Sequence, residues 1–323
     1  MTVTTTPSGS ATPSPAPPSL SGDARRLRRE RRVRNVFWLA GLSSLGISIA
    51  IVATLLGSSI TFLSNISLDT LLTFEKWAPR VGKFDVMTLL VGSLLVTGVA
   101  IVIATPLGLG AAIYLAEYAN PRVRRVVKPV LEVMAGIPSI VLGFFAVAWI
   151  GPNIVQNLFE DADAFSLAAA GIGVGILITP IVASISEDAM RAVPASLREA
   201  SYGLGARRLT TVTRVVMPAA VSGIVAALIL ALSRAIGETM VVALAGGAFG
   251  EASFTTDVTD VGLVITSAMA SLATGTDQVA GGGGTGAGQA FNSLFFLGLL
   301  LFAITLILNV VGDFFVNRVR EKY

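Results

Sequence analysis

The sequence predicts an all-α membrane protein with six transmembrane helices, and three observations carry that reading. Hydrophobic residues make up 53% of the 323 positions and charged residues only 13%, with a mean hydropathy of +0.77, too apolar for a water-soluble domain of this length. Apolar runs near the ~20 residues needed to cross a bilayer recur along the chain. The basic residues gather between those runs, so an isoelectric point near 9.5 reports topology and not nucleic-acid binding. The absence of Cys and His excludes thiol chemistry, disulfides and the usual zinc or haem ligand sets.

Residues 1–35 read as a disordered Pro/Ser/Thr tail that ends in a basic arm, with seven arginines in residues 25–34. The run 35–68 carries no charge over 34 residues, longer than the apolar part of a signal peptide, so it predicts an uncleaved first helix over 36–62. Residues 36–85 then hold that helix and an outer loop. A membrane core over 86–317 supplies the other spans, expected at 86–116, 130–151, 166–186, 215–247 and 291–315. Pro106, Pro138 and Pro180 fall within or beside spans, as membrane helices tolerate. Nineteen of the 23 Lys and Arg residues lie in the N-terminal arm, the 117–129 and 187–214 connections and the C-terminal tail. The positive-inside rule places both termini in the cytoplasm. Trp38, Trp77 and Trp149 read as interfacial anchors. In the outer segment 248–290, the glycine run at 281–288 lacks a following Lys-Ser/Thr and reads as a flexible linker. No Walker A pattern occurs, so the chain itself is expected not to hydrolyse ATP.

The connection at 191–218 is too patterned for a turn. Ser196 and Glu199 have capping-box spacing, Leu197, Ala200 and Leu204 recur at helical intervals, and Gly203 or Gly205 can end a short helix starting near Pro194. A second short helix over 208–213 leads to Pro218. On physics alone this is an amphipathic interfacial segment. Glu199-Ala200-Ser201, then Gly205, then Val215-Val216-Met217-Pro218 resembles the EAA loop of ABC importer permeases: Glu-Ala-Ala, three residues, Gly, nine residues, Ile-x-Leu-Pro. The resemblance implies that Glu199, Ala200, Gly205, Arg207 and Pro218 belong to the element that docks on a cytoplasmic ATPase.

Arg234 and Glu238 interrupt an apolar segment in the stretch SRAIGETM. Their spacing puts them on one helical face, and Arg234 follows Pro218 by 16 residues, or ~24 Å along a straight helix. Charges at that depth cost a few kcal/mol or more, so they normally face a bundle interior or an aqueous cavity. They serve either as a static pair joining helices or as an anion site. SRAIGETMVV is similar to the Arg-Ala-Ile-Gly-Glu-Thr signature of phosphate-specific (Pst) ABC permeases, with Met240-Val241-Val242 closer to the C-type subunit. PLGLGAAIYLAEYA (106–119), MAGIPSIVLGFFA (134–146) and ITPIVASISEDAMRAVPASLREASYGLGA (178–206) agree. The likeness extends over about 86–247, with a moderate match in the last span and none in the tail.

The resemblance implies a type I ABC importer permease in the bacterial cell membrane. Its expected partners are an A-type sister permease, an ATPase dimer that binds ATP and Mg²⁺, and an extracytoplasmic phosphate-binding protein, with no cofactor held by this chain. Arg234, Glu238, Thr239 and Ser139 become the expected substrate-site residues. A guanidinium fork suits an oxyanion. The proton that phosphate retains near neutrality can bond to Glu238, where sulfate meets repulsion. Ser139, after Pro138, is either such a donor or a cap of its own helix. A permease for molybdate or sulfate stays open, as does a secondary transporter using Arg234 and Glu238 as a relay, which leaves the EAA-like loop without a purpose. Glu117, Glu132, Glu187 and Asp188 lie near helix ends and read as solvated acids or partners of loop arginines, with no transport role.

Overall fold

The computed structural model describes residues 24–275 and 287–319, so the expected disorder at 1–23 and nearly all of the glycine run lie outside the described residues. The chain divides into two compact units, residues 1–53 and 54–323. The described part of the first is the N-terminal portion of helix α1, Ala24–Ser64. There the helix continues through the basic arm into the first apolar run, with Phe37, Trp38 and Leu39 exposed.

The second unit holds α2 (Leu68–Leu71), α3 (Val86–Tyr118), α4 (Pro121–Met134), α5 (Ser139–Leu158) and α6 (Leu167–Arg191). There follow α7 (Ala195–Gly203), α8 (Arg208–Ala219), α9 (Val221–Ile236), α10 (Met240–Ala245), α11 (Ile265–Ala273) and α12 (Ala287–Val319). Among the described residues, five helices are long and apolar enough to cross a membrane, or six if the bent pair α8 and α9 forms one span.

α6 is the central helix. Its apolar run is buried nearly all round, and it packs along α3 through Val96, Ala100 and Ala104 on one side and Val174, Ile178 and Val182 on the other. Small residues let the two backbones approach, as membrane interfaces require. A Cβ on Gly171 would stand 2.6 Å from that of Val99. Helix starts follow local chemistry. Asn120 accepts from the amides of Arg122 and Val123 with Pro121 at the first turn of α4, and Ser166 accepts from the amide of Ala169 at the start of α6.

Several expectations are corrected. The fold is not purely helical: β1 (Lys76–Ala78), β2 (Lys83–Phe84) and β3 (Ala252–Ser253) form a small antiparallel sheet in the order β2-β1-β3. Trp77 is no interfacial anchor but a fully buried side chain of this sheet, edge-on to Phe84, which is in turn edge-on to Phe62. The third span runs over α5 and not 130–151, because the apolar residues before Pro138 belong to the separate amphipathic helix α4, and residues 135–138 break the path. The fifth span is not continuous over 215–247. Pro218 lacks an amide donor and its ring crowds the preceding turn, α8 and α9 meet at 70°, and a second break precedes α10. The segment 248–290 is more than a loop, since α11 buries Ile265, Ala268 and Leu272 against Phe62, Leu89 and Leu297.

Candidate functional site

The SRAIGETM stretch forms the break between α9 and α10. α9 ends at Ile236, so Glu238 does not share a continuous helical face with Arg234, contrary to the spacing argument. They still approach, with Nη2 of Arg234 3.9 Å from Oε2 of Glu238. Their surroundings differ: the Arg234 side chain is 51% exposed and that of Glu238 4%. The buried carboxylate has an identifiable set of donors. Its Oε1 accepts from the amides of Met240 (3.2 Å) and Val241 (3.4 Å), unsatisfied first-turn groups of α10, and its backbone carbonyl accepts from the buried hydroxyl of Thr266 on α11 at 2.6 Å. The other oxygen faces the guanidinium.

Ser233 donates to Oδ1 of Asn309 at 3.0 Å, fastening the end of α9 to α12. Thr239 is half-buried and its hydroxyl lies 3.4 Å from the Gly237 carbonyl. Ser139 is the first residue of α5, and the N-cap position before it is taken by Pro138, which has no side-chain acceptor. One turn on, Gly143 packs directly on Met240 and Val241, so the Ser139 face of α5 lies along the start of α10.

The EAA-like segment folds as two short helices around a sharp turn. α7 begins one residue after Pro194, and the expected capping box between Ser196 and Glu199 does not form because the helix starts before Ser196 can cap it. Glu199, Ala200 and Arg207 are exposed. Gly205 has φ +79° with open space where a Cβ would point. The turn therefore needs its backbone freedom and not its smallness. Tyr202, Leu204 and Leu209 are exposed at 43%, 89% and 65%, an apolar projection flanked by charge. Ser201 and Thr211 share a buried hydroxyl contact of 2.9 Å that holds α7 against α8. Pro218 lies exposed just before the bend.

Of the two options for Glu117 and Glu187, solvated acids or partners of loop arginines, the structure shows the second, with both side chains buried. Glu117 is 6% exposed and Glu187 fully buried. Glu117 binds Arg198 of α7 at 3.0 Å. Arg208 donates to the Glu117 carbonyl and lies over the Tyr118 ring, 4.9 Å from its centre. Glu187 accepts from Arg124, and Lys128 bonds to Asp188 while standing 3.5 Å from Glu187. Burial opposes the Lys128 charge, but the bond to Asp188 and the two acidic charges outweigh it and raise the pKa above its ordinary value. The sequence signal is an acid near the C-terminal end of each of two apolar helices, with basic residues in the connections that follow.

The sequence pattern of the family described as "Binding-protein-dependent transport system inner membrane component" matches residues 104–321. The chain belongs to this family. It is 35% identical over 232 residues to the probable ABC transporter permease protein YqgH of Bacillus subtilis, covering 71% of this chain and 75% of that protein. It is 30% identical over 270 residues to the phosphate transport system permease protein PstC of Mesorhizobium japonicum, covering 78% and 79%. Against the phosphate transport system permease protein PstA 1 of Mycobacterium tuberculosis, identity is 42% over 151 residues, covering 46% of each chain. Among solved structures, a bacterial ABC transporter involved in the import of the acidic polysaccharide alginate superposes with TM-score 0.62 at 13% identity, covering 92% of this chain and 100% of that one. The MetNI methionine ABC transporter gives 0.50 at 22%, covering 73% and 94%. These likenesses show the fold. As a binding-protein-dependent ABC permease, the chain is a multi-pass membrane transport subunit, and its relatives are permease subunits rather than enzymes.

Proposed function

We propose that this permease is the C-type transmembrane subunit of an ATP-driven inorganic phosphate importer in the bacterial plasma membrane, with both termini cytoplasmic. It forms the pathway with an A-type sister permease, receives phosphate from an extracytoplasmic binding protein and engages an ATPase dimer, which binds ATP and Mg²⁺, through residues 191–218. The observation that carries the substrate reading is the asymmetry of the Arg234–Glu238 pair. A half-exposed guanidinium beside a buried carboxylate offers a passing anion a cation with donors to spare, while the carboxylate keeps the cation from being unbalanced when the site is empty. The names of PstC and PstA relatives support phosphate as the anion.

The residues divide the work. Arg234 contacts the oxyanion. Glu238 uses one oxygen to fix the start of α10 and presents the other to Arg234, where it can accept the hydrogen that phosphate still carries. Thr239 and Ser139 supply hydroxyl donors from the two helix starts on either side. Glu199, Ala200, Gly205, Arg207 and Pro218 form the lever to the ATPase. The deciding measurement is radiolabelled phosphate uptake by the reconstituted complex with binding protein and ATP: Arg234→Ala abolishes uptake while the complex still assembles. Uptake equal to that of the unmodified complex would overturn the substrate role.

A further inference from the structure

α4 presents its faces in reverse of a soluble helix. Arg124, Arg125, Lys128 and Glu132 share one side, whereas Val126, Val130 and Val133 on the other are 64%, 51% and 74% exposed, and no residue of the helix is buried. The helix joins the end of α3 to the start of α5, both long enough to cross the membrane, so it lies at a membrane surface whichever way the protein is oriented. Beside it opens a cavity of about 510 Å³ lined by Arg124, Arg125, Lys128, Glu132 and Arg191, the last from the end of α6 at the same surface. The surrounding acids are accounted for: Glu187 and Asp188 are engaged by Arg124 and Lys128, leaving Glu132 against Arg125 and Arg191. Both of these arginines are exposed, and neither has an ion-pair or hydrogen-bond partner among the described residues.

We propose that this cavity is a binding site for the headgroup of an anionic phospholipid, with the valine stripe of α4 resting among the acyl chains. An exposed apolar stripe beside two unneutralised guanidinium groups is what a phosphate diester attached to hydrocarbon complements. A soluble anion would leave the valines uncovered. By holding α4 at the interface, the lipid steadies the platform on which Arg124 and Lys128 grip the buried end of α6.

The test is native mass spectrometry of the full chain extracted from equimolar phosphatidylglycerol and phosphatidylcholine vesicles, with Arg125→Gln/Arg191→Gln compared against the unmodified protein. Both side chains are exposed and unpartnered, so an unchanged thermal unfolding midpoint is expected of the variant. Each cation near an anionic surface strengthens attraction roughly fivefold. The unmodified protein is therefore expected to retain phosphatidylglycerol selectively and the variant to hold roughly twenty-five-fold less. Added inorganic phosphate should not displace the lipid, and Val126→Ser/Val130→Ser should weaken retention with the arginines intact. Equal retention by protein and double-arginine variant would overturn the site. So would displacement by inorganic phosphate, which would mark a soluble-anion pocket, or loss of a copurifying protein subunit with lipid retention unchanged, which would mark a protein-docking face.

Discussion

Arg198 donates from Nε and Nη2 to a single oxygen of Glu117, at 3.2 and 3.0 Å, across 81 residues of chain. The same guanidinium bonds to the carbonyls of Val193 (2.6 Å) and Met190 (2.7 Å). One side chain thus joins α7 to the ends of both α3 and α6. This clamp anchors α7 to two longer helices.

Removing the cation leaves Glu117 buried and uncompensated, a loss of about 3–5 kcal/mol. Arg198→Met is expected to lower the thermal unfolding midpoint sharply, and adding Glu117→Gln should recover most of the loss. If the clamp transmits motion, the recovered double variant still hydrolyses ATP with the partner ATPase but transports less per ATP. A double variant with an unaltered ratio of uptake to hydrolysis would confine the pair to a stabilising role.

Gly205→Asp places a side chain in open space at φ +79°, so its effect is conformational and amounts to about 1–2 kcal/mol at the turn. The variant is expected to insert at normal levels and lose ATP-driven uptake. Gly205→Asn, a residue that tolerates the left-handed region better, should keep more of it. Equal transport by all three proteins would remove the turn from the coupling mechanism.

Glu238→Gln preserves an acceptor for the Met240 and Val241 amides but removes the charge facing Arg234. The fold should survive with little change, while discrimination of phosphate against sulfate falls, as read by competition in uptake assays. Glu238→Ala also removes the cap and should cost about 1–2 kcal/mol. Selectivity identical to the unmodified complex in the glutamine variant would exclude the carboxylate as the discriminating group.

The parts legible in the sequence were those set by composition and local pattern. Apolar runs located α1, α3, α6 and α12, and a periodic segment before Gly205 located α7. The breaks were less legible. Residues 130–151 are apolar enough to read as one span, yet Pro138 separates an interfacial helix from a crossing one, and hydropathy does not register which apolar face meets lipid. Trp77 looked like an anchor because tryptophan favours interfaces, but strand pairing with Ala252 and Phe84 is a contact between distant segments that no local window contains. The same holds for Arg198 finding Glu117. For Arg234 and Glu238, sequence spacing anticipated their proximity for a partly wrong reason: the helix ends between them, and the turn itself brings the carboxylate back.

The contact of α3 with α6 gives the last prediction. A Cβ on Gly171 would lie 2.6 Å from the Val99 Cβ and 3.1 Å from the Val96 carbonyl, atoms fixed by two packed helices, so nothing flexible can yield. Gly171→Ala should destabilise the protein by about 1–3 kcal/mol through overpacking, although alanine is the better helix former. Gly110 lies in the same kind of helix with no atom near its hypothetical Cβ, and Gly110→Ala should be neutral or slightly stabilising. Thermal unfolding of the two variants in one detergent measures the difference. If Gly171→Ala unfolds no earlier than Gly110→Ala, the α3–α6 seam is looser than this packing implies, and close backbone approach is not what holds the central helix in place.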